Sequence, residues 1–385
     1  MSKPYYVTLT GGRNNAGDFL IKYRAFNLFK TLRADRDIID YNEWEEIDDK
    51  KLDIINHAKA LILLGGPGLV YNMYPNGAYK LRKNLDDIKV PIIMMGIGWK
   101  DPQGDWKDTY TYKISDSSLK LLDKIENSGY SSSVRDYHTL NALQIKGYKN
   151  FIMTGCPAYY DIAYLNKNRE LNLNLIQKVA FSLGVSFVDN DLMEKQMKRV
   201  ILVLKEKFLD KLEVVFHHSL DKNIIEKVYG KSSEKHYLEH KKISKWLTKN
   251  NIDYIDISGN AENLINYYSK VDLHIGYRVH AHIFMNSISK YSILLNEDGR
   301  GKGVEKVLGG TTLNSYFEYR RDFFSKLLDK IFKKNNRMKL NPYIIDELLN
   351  FIDYENSTNF QSSKRASSLI DNNFNIMKKF IKQLP

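Results

Sequence analysis

A single cysteine, Cys156, in 385 residues leaves the chain no internal disulfide. It therefore needs no oxidising compartment, and a cytoplasmic setting is the simplest expectation. Long apolar runs are missing too. The strongest windows, Ala60–Leu64 and Val90–Met95, are too short to cross a bilayer. The opening MSKPYYVTLTGG has no apolar stretch behind a basic start, so no secretory signal is expected. Zinc-finger spacing, a helix-turn-helix signal and an aromatic RNA-binding motif are all absent, which sets nucleic acid aside as a partner. No P-loop and no GxGxxG fingerprint opens the first helix, so ATP and NAD sites lack support. No repeat at solenoid or propeller period stands out.

What is present is the composition of an ordinary folded chain, 43% hydrophobic and 27% charged. Its length exceeds what one hydrophobic core usually holds, so two domains are expected. The formal net charge of +12 points to anionic partners, a phosphorylated small substrate or a membrane surface. The basic excess of the tail (331–385) reads first as a solvated face and second as peripheral membrane contact.

Short apolar strands alternate with amphipathic stretches through the first 160 residues. Tyr5–Thr10, Ala60–Leu64, Pro91–Met95, Ser131–Val134 and Phe151–Met153 read as strands, with a helix over Phe19–Leu32. A polar stretch over 165–174 reads as a linker. The pattern then restarts with Val179–Leu183, Glu213–Phe216, Tyr254–Ile257, Leu273–Ile275 and Ser292–Leu295. Beyond about Asn314 the reading is helical, interrupted at 335–342. Alternation of this kind predicts α/β architecture: two doubly wound, Rossmann-like domains (1–165 and 175–312) facing across a cleft. A helical segment (313–385) that folds back on the first domain would suit it.

Glycines gather at three strand ends of the first half: Gly11 to Asp18, Gly65 to Gly68, and Gly96 to Gly98. Glycine there lets a ligand approach the backbone, and the following helix offers unpaired N–H groups to an anion. DLHIGYRVHAHIF (Asp272 to Phe284) is the sharper signal. It sets Arg278 at a strand end and His280 in the first turn of a helix, a fixed cation beside a titratable imidazole. That pairing suits a phosphorylated or carboxylated substrate and acid–base work. Arg135, after the Ser131–Val134 strand, has the same placement in the other half, so two arginines facing across a cleft could share one dianion. His280 and His282 spell HxH, but a helix sets them on different faces, and no metal site is expected. His218 with Asp221 is a secondary substrate contact, and Asp18 is a carboxylate at a helix start.

With these residues the chain resembles the polysaccharide pyruvyltransferase family. The matching segments are NNAGD (Asn14 to Asp18), LILLGGPG (Leu61 to Gly68), IMMGIGW (Ile93 to Trp99), SVRDYHT (Ser133 to Thr139), TGCPAYY (Thr154 to Tyr160) and HIGYRVHAHIF (His274 to Phe284). The resemblance implies a GT-B-like pair of domains and, as donor substrate, phosphoenolpyruvate, with no separate cofactor. The acceptor it implies is a sugar or glycan, lipid-linked in one form of the reading. It implies donor binding by Arg135, Arg278 and the glycine rims Gly65, Gly66, Gly96 and Gly98, with His280 and Asp18 as catalytic groups. Asn15, His218, Asp298 and Lys302 are then acceptor-side or secondary residues. NEDGRGKG (Asn296 to Gly303) departs from the family's tyrosine–aspartate–x–lysine segment, with Asp298 and Lys302 as counterparts. Two rival readings remain: a nucleotide-sugar glycosyltransferase, resting on the seven-residue interval between Glu297 and Glu305, and a non-catalytic glycan-binding protein.

Overall fold

The computed structural model describes residues 3–167, 176–230, 234–320, 322, 324, 327 and 337–385; residues 168–174 of the expected linker lie outside them. In the first half, β1 (Tyr5–Thr10), β2 (Asp37–Asn42), β3 (Leu61–Leu64) and β4 (Ile92–Met95) form a parallel sheet in the order β2-β1-β3-β4. A parallel pair, β5 (Ser132–Val134) and β6 (Phe151–Met153), continues it, because Gly96 N donates to Ser133 O and Ile97 bridges Val134. LILL and IIMM are buried at every position, as strands covered on both faces must be. β2 escapes a sequence reading because DIIDYN is an edge strand with no fully buried residue, and so shows no apolar run. Helices α1 (Ala16–Leu32), α2 (Asp49–Asn56), α3 (Trp106–Tyr110), α4 (Asp116–Glu126) and α5 (Tyr137–Gln144) lie between these strands in the chain.

The second half contains β7 (Val179–Ser182), β8 (Leu212–Phe216), β9 (Asp253–Asp256), β10 (Leu273–Gly276), β11 (Tyr291–Asn296) and β12 (Thr312–Asn314). They pair in parallel in the order β12-β11-β10-β7-β8-β9. Counted from its own first strand this is the doubly wound Rossmann order, whose switch point lies between β7 and β10. A crevice opens there at the carboxyl ends of the strands, and Arg278 and His280 follow β10 at that point. The connecting helices are α6 (Asp191–Phe208), α7 (Lys222–Tyr229), α8 (Glu234–Lys249), α9 (Ala261–Tyr268), α10 (Val279–Ser287) and α11 (Gly299–Leu308).

The helical reading beyond Asn314 is corrected over 316–319, which is a strand, while the break expected at 335–342 is present and itself holds a strand. β13 (Tyr316–Tyr319) and β14 (Met338–Leu340) form an antiparallel ribbon before α12 (Ile344–Ser357) and α13 (Gln361–Lys382). Pairing between segments so far apart leaves no local periodicity to read. α13 returns to the first half. Its stripe Ala366, Ile370, Met377 and Phe380 enters the core that holds Tyr6, Leu61 and Phe284. Burying the larger of these side chains stabilises the fold by about 1.5–3 kcal/mol each. Past its end, Pro385 O accepts from Tyr6 Oη at 2.6 Å, and Leu384 O accepts from Arg33 Nη1 at 2.6 Å. No helix among the described residues is long and apolar enough to cross a membrane.

Candidate active site

The NNAGD segment joins the halves. Asn15 caps α1 by accepting from Gly17 N at 3.3 Å. Asn14 is buried and reaches across, its Oδ1 accepting from Ser219 N at 3.0 Å and its O from Gly259 N at 2.9 Å. At Gly17 a β-carbon would stand 2.3 Å from His280 Nδ1. Only glycine lets the imidazole lie against the first turn of α1, one residue before Asp18.

On the other side of that contact, Arg278 is the N-cap residue of α10. Its backbone N donates to Ser182 Oγ at 3.0 Å, and Ser182 Oγ is bonded to His274 Nε2 at 2.8 Å. Ser292 Oγ then links His274 Nδ1 at 2.7 Å to His282 Nδ1 at 2.8 Å. This buried chain fixes the turn that presents Arg278 and His280, and it makes His282 a bonded core residue. The Arg278 guanidinium donates from Nη2 to His218 Nδ1 at 2.9 Å. His218 is thus tied to Arg278, whereas Asp221, its expected companion, caps α7 by accepting from Asn223 N at 2.8 Å.

Arg135 is buried; it donates from Nη2 to Trp99 O at 3.4 Å and from Nε to Asp136 Oδ2 at 3.3 Å. Gly98 makes room for it, since a β-carbon there would lie 1.9 Å from Arg135 Nε. Gly96 instead packs on Pro157, behind the rim. A third arginine, Arg300, was not singled out by the sequence although it lies inside NEDGRGKG. Asp298 caps α11 through Arg300 N at 2.9 Å and also grips the Arg300 guanidinium, at 2.9 Å from Nε and 2.6 Å from Nη2. Lys302 meets Asp105 of the first half at 2.5 Å. Asp298 and Lys302 therefore hold α11 and its arginine in place.

A cavity of about 440 Å³ is lined by Asn15, Asp18, Glu43, Gly65, Gly66 and Arg300, among others, whereas Arg135, Arg278, His280, Gly96 and Gly98 are not in its lining. Burial pushes the Asp18 carboxyl up to about 6, against the pull of the Asn15 hydrogen bond and then of Arg300, Arg278 and Arg135. Glu43 rises to about 8, through burial first and then the neighbouring Asp18 charge. Glu43 too was missed by the sequence reading, because it follows the unrecognised edge strand β2. His280 is pushed down to about 3, by burial first and then by Arg135, Arg300 and Arg278. Its Nε2 is buried with no hydrogen-bond partner among the described residues. A neutral imidazole and the Asp18 carboxyl thus feel three guanidinium charges, with the protonated Glu43 carboxyl next to Asp18.

The profile of the polysaccharide pyruvyl transferase family matches residues 15–284. The chain belongs to that family. The match runs from the cap of α1 into α10 and encloses Asp18, Arg135, Arg278 and His280. Polysaccharide pyruvyl transferases are transferases, and this chain is one of them. Its two facing Rossmann-like sheets are the GT-B arrangement. The UDP-GlcNAc 2-epimerase of Neisseria meningitidis, solved with UDP-GlcNAc, is similar over 98% of this chain and 99% of its own, at 12% identity and a TM-score of 0.50. The Methanocaldococcus jannaschii UDP-GlcNAc 2-epimerase is 14% identical over 91% of this chain and 99% of its own, at a TM-score of 0.46. At 12% identity the likeness to the Neisseria enzyme is one of fold. No curated protein sequence matches the chain.

The paired glutamates of the rival reading do not converge. Glu297 accepts from Val185 N at 3.0 Å and Ser186 N at 2.9 Å, which pins the loop after β7. Glu305 lines a separate cavity with Tyr354 and Arg365.

Proposed function

We propose that this polysaccharide pyruvyl transferase moves pyruvate from phosphoenolpyruvate onto sugar hydroxyls of a surface polysaccharide or its precursor, closing a ketal. The observation that carries the reading is the electrostatic pull of Arg135, Arg278 and Arg300, drawn from both halves, on both His280 and Asp18, with Asp18 and Arg300 lining one cavity. Phosphoenolpyruvate places a phosphate and a carboxylate on one three-carbon unit, and guanidinium forks suit both groups.

The chemistry follows from the protonation states. A proton added to C3 of the enol phosphate makes C2 electrophilic, and an acceptor hydroxyl oxygen bonds there as it loses its proton. The C2–O bond to phosphorus then breaks, and phosphate leaves with the electron pair. A second hydroxyl oxygen bonds to C2 and releases its proton, which completes the ketal. Of the two hydroxyl protons, one balances the proton on C3 and the other leaves with phosphate. His280, neutral and with Nε2 unengaged, takes the proton of the attacking hydroxyl. Glu43, raised to about 8, keeps its proton at neutral pH and supplies C3, while Asp18, raised only to about 6, is mostly ionised there and orients the acceptor hydroxyl. The arginines stabilise the departing phosphate. The resemblance left His280 an acid–base group without direction; being unprotonated at neutral pH, it can take a proton and has none to give as an acid.

Mass spectrometry of candidate glycans incubated with protein and phosphoenolpyruvate, run beside a phosphate assay, tests the proposal. A pyruvyl group gained by the acceptor, with one phosphate released for each, is the expected outcome. Phosphate release that proceeds equally well without any acceptor contradicts it.

A further inference from the structure

We propose that His218, His236 and His240 form a site for one divalent transition-metal ion of the zinc type, beside Arg278. One ring nitrogen of each histidine lies within 4.8 Å of the other two. His218 follows β8, while His236 and His240 stand one turn apart on α8, the spacing that puts two imidazoles on one helix face. Their rings lie 4.0 Å apart, centre to centre. His240 Nδ1 is 2.8 Å from His236 O and donates to it, which leaves Nε2 with the lone pair. That Nε2 is buried and has no hydrogen-bond partner among the described residues. A ring whose one nitrogen is fixed on a carbonyl while the other is bare has the form of a metal-ligating histidine. Three imidazoles without a thiolate suit zinc, nickel or copper far better than magnesium or calcium. No spacing rule in the sequence joins His218 to α8, so the fold alone assembles the triad.

The same histidine also binds Arg278. His218 Nδ1 accepts from Arg278 Nη2 at 2.9 Å. A nitrogen that accepts from a guanidinium cannot at the same time ligate a metal. If the other nitrogen ligates, Nδ1 of the neutral ring must carry the proton and cannot accept. Metal and Arg278 therefore compete for His218. Metal loading turns the guanidinium away from it, which, on the donor-binding reading of Arg278 above, releases that group for the substrate.

Zinc alone, titrated into chelator-stripped full-length protein by calorimetry and followed by metal analysis after dialysis, tests the site without any substrate. One zinc per chain is expected. His236→Ala and, on the other element, His218→Ala should each weaken binding by more than about 100-fold, beyond the roughly 10–100-fold that outer-shell changes cost. Circular dichroism should stay unchanged, and His236→Cys, which supplies a thiolate, should restore the stoichiometry. Arg278→Gln should tighten zinc binding at least about tenfold, through loss of a charged hydrogen bond to the ligand. Absence of stoichiometric zinc in the wild type, or equal affinity in His236→Ala, overturns the site. Unchanged zinc affinity in Arg278→Gln overturns the competition, whatever phosphoenolpyruvate does.

Discussion

Burial is the leading cause of the shifts at Asp18, Glu43 and His280, and of the three only Glu43 holds at neutral pH the form its side chain usually lacks. Glu43 offers a test free of any substrate. Its folded-state value of about 8 lies above the ordinary 4.5. The native chain therefore binds the extra proton between those values, and its stability falls as pH rises through that window. Glu43→Gln removes the slope: melting temperature should exceed that of wild type at pH 8 and match it near pH 4.5. A thermal melt series across pH that shows parallel curves would deny Glu43 its raised pKa. His280→Ala should abolish turnover while leaving the melt intact; retained turnover removes its role as base. At this scale the sequence led to His280, Arg278, Arg135 and Asp18, because each stands at a strand end or helix start beside a recognisable motif. Arg300 and Glu43 stayed hidden, since what selects them is proximity across the fold.

Among the elements, the contact of α1 with α10 is the most exacting. Gly17 exists so that His280 can touch it. Gly17→Ala should displace the imidazole by on the order of 1 Å and lower kcat about 100-fold, with donor KM nearly unchanged. An unaffected kcat would separate His280 from the chemistry. The buried parallel strands were legible because LILL and IIMM are continuous apolar runs, whereas β2, β13 and β14 were not. An edge strand shows little burial, and the β13–β14 ribbon depends on a partner distant in the chain. Asp298 and Lys302 were legible as notable residues, but their work is to cap α11 and tie it down.

For the molecule as a whole, the halves are fastened by Asn14 to Ser219 and Gly259, by Lys302 to Asp105, and by Tyr316 Oη donating to Gln103 O at 2.8 Å. These links hold Arg300 of one half over the cavity rim of the other. Asp105→Ala should loosen α11 and raise donor KM roughly tenfold, since a charged hydrogen bond of this kind contributes about 1.5–3 kcal/mol. An unchanged KM would mean that Arg300 keeps its place without the clasp. The two-half design and the basic charge were both visible in length and composition. Arg135 and Arg278 were visible as part of that charge, whereas Arg300 was not, because only the fold brings it close enough to act on Asp18 and His280 with them. Equilibrium titration of the full chain with phosphoenolpyruvate, set against UDP-, GDP- and CMP-sugars, is the most direct measurement. Phosphoenolpyruvate should bind and stabilise the protein, and Arg278→Lys should weaken that binding about tenfold, since a point charge cannot reproduce the guanidinium fork. Stabilisation by a nucleotide sugar, with none by phosphoenolpyruvate, would contradict pyruvyl transfer at this site.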